Sequence, residues 1–196
     1  MHADHELNAS AFSARVTASS LSGLYSSVMA AIGTLKGSLH GGANEAVMRM
    51  LGEIRTLDRL EGYLTEQLGA GGKIMGFGHR VYREGDPREK ILKQMSERLT
   101  HSVGRGELYE MSARLEELMA ERKGLIPNVD FYSASVYTAL GIPKDLFTPI
   151  FAASRIAGWC AHVLEQYENN RIYRPRARYV GADRRSVAAD RSDRSD

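Results

Sequence analysis

Apolar positions recur at helical spacing along almost the whole chain, and the period-two alternation that a half-buried strand requires is missing. Between residues 11 and 35, Phe12, Val16, Leu24, Val28 and Ile32 fall at helical multiples among Ala, Ser and Gly. The small residues between them predict helices packed at close range. A second stripe, Val47, Met48, Leu51 and Ile54, follows Gly41-Gly42-Ala43-Asn44-Glu45, which reads as the first turn of an amphipathic helix. Asp58-Arg59-Leu60-Glu61 has the form of a capping box opening another helix, which the glycines of residues 69–72 stop. Asp86-Pro87-Arg88-Glu89 is a stronger start, with Asp as N-cap, Pro at the first helical position and Glu closing the box. Its core face is Ile91, Leu92, Met95 and Leu99, and beyond the loop at 104–106 another helix carries Leu108, Met111, Leu115 and Leu118. A turn at 125–130 leads into a helix through Tyr132, Val136 and Leu140, with Asp130 at or near its cap and Gly141 as its stop. The longest pattern, 145–166, holds Phe147, Ile150, Phe151, Ile156, Trp159, Val163 and Leu164, with Arg155 embedded among them. The expected fold is all-α.

Composition narrows the function classes. A chain of 196 residues with 43% hydrophobic and 26% charged residues supports one sizeable core or two small lobes. Its net charge of +2 is spread along the chain, which points to neither nucleic acid nor an anionic membrane as partner. No apolar run is long enough to span a bilayer and the first residues do not read as a signal, so a cytoplasmic protein is expected. The one cysteine, Cys160, excludes a disulfide framework and reads as a buried structural thiol. His2 and His5, three apart with acids nearby, lack a third ligand by spacing, and no metal site is expected. Residues 181–196 have almost no apolar content and are expected to be disordered.

The candidate chemistry lies in the turns. His40 sits among glycines just before a helix, where the partial positive charge of the N-terminus disfavours imidazolium and leaves a neutral N–H donor. Residues 73–83, Lys-Ile-Met-Gly-Phe-Gly-His-Arg-Val-Tyr-Arg, form a glycine-bearing loop whose backbone can approach a flat or phosphorylated ligand. With no preceding strand, this is not a dinucleotide fingerprint. Asp130 reads equally as an ordinary cap or as a functional carboxylate. Arg155, embedded in an apolar helix, requires an anion, which is either a structural carboxylate or a ligand. A carboxylate base, neutral histidines at 40 and 79, and several guanidinium groups together suit proton abstraction next to a carbonyl in the presence of a polycarboxylate. A carbon acid beside a thioester is too weak for a carboxylate alone, so a hydrogen-bond donor must stabilise the enol as it forms.

Four stretches carry a resemblance. They are Met-His-Ala-Asp-His-Glu-Leu-Asn-Ala-Ser at 1–10, Gly-Ser-Leu-His-Gly-Gly-Ala-Asn-Glu at 37–45, Gly-Phe-Gly-His-Arg-Val-Tyr at 76–82 with Asp86-Pro87-Arg88, and Pro-Asn-Val-Asp-Phe-Tyr-Ser at 127–133. In this order they are similar to the bacterial citrate synthase family, from residue 1 to about residue 181. The resemblance implies that Asp130 removes a methyl proton from acetyl-CoA while His40 donates to the thioester oxygen. His79 would polarise the ketone of oxaloacetate, whose binding falls to His5, Arg88, Arg155 and Arg174, the last across a homodimer. Ile74, Met75 and Gly76 would receive the adenine of CoA, and Arg83 would contact its phosphate. Acetyl-CoA is a substrate, so no cofactor or metal is implied.

The implied organisation is a small mobile domain at 42–141, with 1–41 and 142–180 forming part of a large domain. The family's chains are about twice as long, so the large domain is expected to be incomplete, and Ser38 stands where the family commonly has proline. Two other readings stay open: 2-methylcitrate synthase using propionyl-CoA, and a catalytically silent fragment of the family.

Overall fold

The computed structural model describes residues 2–37, 40–78 and 85–184. Ser38, His79 and Arg83 lie outside the described residues. The chain forms eight α-helices among the described residues: α1 Ala9–Ser19, α2 Leu24–Leu35, α3 Ala43–Ile54, α4 Leu60–Gly69, α5 Pro87–Ser102, α6 Gly106–Lys123, α7 Val129–Ala139 and α8 Phe147–Glu168. Short 3-10 turns at Leu57–Arg59 and Lys144–Leu146 lead into α4 and α8. Extended pairing among the described residues is limited to two isolated bridges, so the fold is all-α as its periodicity predicts.

The helices sort into two hydrophobic cores. One is built from α3 to α7, with Leu51, Leu60, Leu64, Leu115, Met119, Phe131 and Tyr132 fully or almost fully buried. The other joins α1, α2 and α8 through Ala11, Ala14, Ala18, Ala31, Leu35, Phe151, Trp159 and Val163. Helix α8 runs through both, because Phe147 at its start enters the first core while Phe151, Trp159 and Val163 enter the second. Among the described residues no helix is long and apolar enough to cross a membrane.

Four local expectations are corrected. The helical pattern over 11–35 is two helices, broken at residues 20–23, where Leu21 and Gly23 take positive φ. Its large apolar stripe is only in part the core face: Val28 and Ile32 pack against the core, whereas Phe12, Val16 and Leu24 are exposed and Ala11, Ala14 and Ala18 point inward. That alanine series has the same helical period, displaced around the helix, so periodicity alone could not choose between the two faces. The Asp58 box is not formed; α4 opens from the 3-10 turn with Arg59 as its cap and no side-chain cap bond. Glu89 does not close the box on α5 either, its buried Oε1 having no hydrogen-bond partner among the described residues, although Asp86 caps the helix as expected. Cys160 is half-buried rather than buried.

Candidate active site

His40 is held at the meeting of the two cores. Gly41 N–H donates to Leu35 O at 2.9 Å, and the Thr148 hydroxyl donates to Gly41 O at 3.1 Å, fastening the turn to α2 and α8. A Cβ on Gly41 would stand 2.4 Å from Leu35 O, so this approach requires glycine. The imidazole reaches α1: its Nε2 lies 3.3 Å from Ser10 N–H and 3.0 Å from Ser10 Oγ. The Ser10 N–H, which Asn8 Oδ1 shares at 3.2 Å, is directed at Nε2, an arrangement that favours Nε2 as acceptor and the ring proton on Nδ1. Ser10 Oγ is itself fixed, accepting from Trp159 Nε1 at 3.1 Å and donating to Asn8 Oδ1 at 2.7 Å. Burial lowers the basicity of His40, and the charge of Arg155 lowers it further. Desolvation and a neighbouring cation therefore both favour the neutral form of this imidazole.

Asp130 is in the first turn of α7 but does not cap it. Asn128 is the cap, its Oδ1 accepting from Asp130 N–H at 3.0 Å, and this leaves the Asp130 carboxyl uncommitted. Its Oδ1 is buried with no hydrogen-bond partner among the described residues. Burial pushes the carboxyl up to about 7, an effect that Arg88 and Arg155 oppose and Asp86 reinforces. Tyr137, one of its neighbours, is pushed up to about 12 by burial and by the Asp130 charge.

Arg155 is 2% exposed. Its Nε donates to His2 O and its guanidinium lies 4.7 Å from the centre of the Phe151 ring. Among the described residues no carboxylate is within ion-pair distance of it, so the structural-carboxylate reading of Arg155 is not met. Asp4 and Asp130 act on it only at longer range, and burial, then Arg88, lower its basicity. Arg88, in the first turn of α5, is gripped by Asp86, with Nε to Oδ1 at 2.9 Å and Nη2 to Oδ2 at 2.7 Å.

His2, weighed from sequence only as a metal ligand, is more deeply buried than His5. Its ring centre is 4.2 Å from that of Phe151, its Nδ1 is buried with no hydrogen-bond partner among the described residues, and burial, with the Arg155 and Arg88 charges adding to it, lowers its basicity. Among the described residues no group of three His, Cys, Asp or Glu is placed to hold a metal ion.

The fold thus brings His40, Arg88, Asp130 and Arg155 into one electrostatic neighbourhood, with His2 and Asp86 added to it. His5 is half-buried in the loop before α1. Arg174 is not brought into this group: it is exposed on the segment after α8, where its Nη1 donates to Pro175 O at 3.0 Å. Ile74, Met75 and Gly76 line a cleft of about 440 Å³ with Ala43, Lys123 and Asn128. Asn128 ties this cleft to the first turn of α7 and Asp130, since its N–H donates to Gly76 O at 2.9 Å and its Nδ2 to Gly78 O at 3.0 Å. Ser10, Asn8 and Asn128 were within the stretches that carry the resemblance. What was missing from sequence was the contact that gives each a role.

An all-helical scaffold thus presents a desolvated carboxyl, an imidazole of lowered basicity and a buried arginine together. The family model described as citrate synthase, C-terminal domain, matches residues 1–176, and the chain belongs to the citrate synthase family. Citrate synthase 2 of Bacillus subtilis is 61% identical over 184 residues, covering 94% of this chain and 50% of that protein. A 2-methylcitrate synthase of Shewanella oneidensis is 51% identical over 187 residues, 95% of this chain and 50% of that one. Among solved structures, a ternary complex of carboxymethyl coenzyme A and oxaloacetate with the Thermoplasma acidophilum citrate synthase is similar at a TM-score of 0.87 and 40% identity. That likeness covers 96% of this chain and 52% of that one. The chain spans about half the length of the curated relatives it matches.

Proposed function

We propose that this chain carries the catalytic half of a citrate synthase, which joins acetyl-CoA to oxaloacetate and releases citrate and CoA. The observation that carries the reading is the proximity of two incompletely matched buried groups: among the described residues a carboxyl oxygen of Asp130 has no hydrogen-bond partner and the Arg155 guanidinium has no carboxylate. A fold leaves such groups unmatched only at a substantial cost, which a ligand offsets by setting an anionic group against the guanidinium and a proton donor against the carboxyl oxygen. Asp130 takes a proton from the methyl group of acetyl-CoA, and His40 donates its Nδ1–H to the thioester oxygen as charge develops there. The enol carbon then attacks the ketone of oxaloacetate, polarised by His79, and water cleaves the citryl thioester to citrate and free CoA.

His5, Arg88 and Arg155 hold the oxaloacetate carboxylates, and Arg174, exposed in its own chain, serves the site of a second copy in a homodimer. The cleft at Ile74, Met75 and Gly76 receives the adenine, with Arg83 on the CoA phosphate. Residues 42–141 act as the smaller domain that closes over the substrates, a reading supported by the separate core of α3 to α7. The 2-methylcitrate synthase relative keeps propionyl-CoA as a second candidate substrate, because one methylene changes pocket binding only modestly.

Release of free thiol in the presence of oxaloacetate and either thioester tests both points. Turnover is expected, with acetyl-CoA showing the higher kcat/KM and Asp130→Ala lowering kcat by roughly a hundredfold or more. Absence of turnover by the folded wild-type chain contradicts the proposal.

A further inference from the structure

Glu116 takes no part in the chemistry above, yet it joins the two helices that carry the site's arginine and its base. From α6 it accepts Lys93 Nζ of α5 at 2.7 Å and the hydroxyl of Tyr132 of α7, both on the same Oε2. Tyr132 is fully buried, and the Lys93 ammonium lies 5.8 Å from the centre of its ring. One turn further along, Ser96 of α5 and Ser135 of α7, both fully buried, share a hydrogen bond of 2.6 Å. Contacts that advance together along both helices mean that α5 and α7 run in the same direction. Their N-terminal ends, bearing Arg88 and Asp130, therefore lie side by side.

We propose that Glu116 is a positioning residue, a clamp whose two hydrogen bonds hold α5 and α7 in register and so fix the separation of Arg88 from Asp130. Charged hydrogen bonds in a half-buried setting are stronger and more directional than neutral ones, which suits a carboxylate to this task. Around the clamp, α5 contributes Lys93 and Glu89, α6 contributes Tyr109, and α7 contributes Tyr132. Among the described residues the charged groups around Asp130 are Arg88 on α5, Asp86 before it, and Arg155 on α8. Glu116 itself is not among them.

The inference rests on the proposed role of Asp130, so its test reads the position of that carboxyl without turnover. The titration of Asp130 is followed by 13C NMR of labelled aspartate, assigned by its loss in Asp130→Asn, in wild type, Glu116→Gln, Glu116→Ala and Leu64→Ala. Leu64 lies on α4, outside the α5–α7 seam, and its truncation loosens the same core.

Freeing the helices lets Arg88 move away, and the Asp130 midpoint in Glu116→Ala is expected to rise by about half a unit or more. Direct loss of a negative charge has the opposite sign. Glu116→Gln keeps an acceptor for both donors and stays within about 0.2 units of wild type, as does Leu64→Ala. If Glu116→Ala does not fold, Tyr132→Phe, which cuts one arm and keeps the ring, carries the same expectation. A midpoint that stays or falls in the severed variant, or that rises equally in Leu64→Ala, overturns the clamp. Absent turnover with the midpoint displaced as expected overturns the function proposed above and supports the clamp.

Discussion

The two cores of this chain solve the packing problem in opposite ways. The group α3 to α7 buries its large side chains against one another, with Leu64, Leu115, Phe131 and Tyr132 all at 0% exposure. The group α1, α2 and α8 packs α1 and α2 through alanine and serine, and leaves large apolar residues outside, with Phe12 47%, Met29 66% and Tyr25 89% exposed. Small residues let backbones approach closely but bury little area, so such a contact gains its stability from the other side of the helices. The first group reads as a unit stabilised from within. The second reads as one layer of a larger packing, in keeping with the proposed dimer and with relatives about twice as long. The turn at His40 is strung between the two, tied to Leu35 and Thr148 on one side and leading into α3 on the other.

The sharpest way to break that contrast is to truncate one large side chain in each group. Leu64→Ala is expected to cost about 2–5 kcal/mol, as for other fully enclosed leucines, measured by denaturant unfolding of this chain. Tyr25→Ala on α2 is expected to change the same quantity by less than about 0.5 kcal/mol. Equal losses would mean that the α2 face is already covered.

Between these extremes lies Gly158 on α8. A Cβ there would stand 2.1 Å from Ala3 O and 3.2 Å from Asp4 Oδ1, so the loop that carries His2 and His5 can dock only against glycine. Gly158→Ala is expected to cost about 1–3 kcal/mol and to weaken oxaloacetate binding by about tenfold or more, measured by calorimetry. Unchanged affinity would separate that loop from the site.

Much of this was legible in the sequence, because helix existence follows from apolar period and from caps such as Asp86-Pro87. Where the reading slipped, competing residues satisfied the same rule. Phe12 and Val16 share a helical period with Ala11, Ala14 and Ala18, and size alone favoured the wrong face. Asn128 and Asp130 are both credible caps, and only the hydrogen bond from Asp130 N–H decides that Asn128 takes the task and leaves a carboxyl without one. The partners of His40 and Arg155 were beyond reach for a different reason: Ser10 is 30 positions from His40 and His2 is 153 from Arg155. Nothing in local spacing encodes such pairings.

The central claim is that a desolvated Asp130 carboxylate carries the proton in the condensation. The folded value of about 7 lies above the ordinary 3.8, so burial favours the acid form and the base exists only as pH rises through neutrality. The measurement is the kcat/KM for acetyl-CoA between about pH 5 and 9. The account predicts a plateau above neutral pH and a fall approaching tenfold per unit below about 7, with the residual rate of Asp130→Asn lacking that limb. A wild-type profile that stays level down to pH 5, or an acid limb that survives in Asp130→Asn, would contradict it.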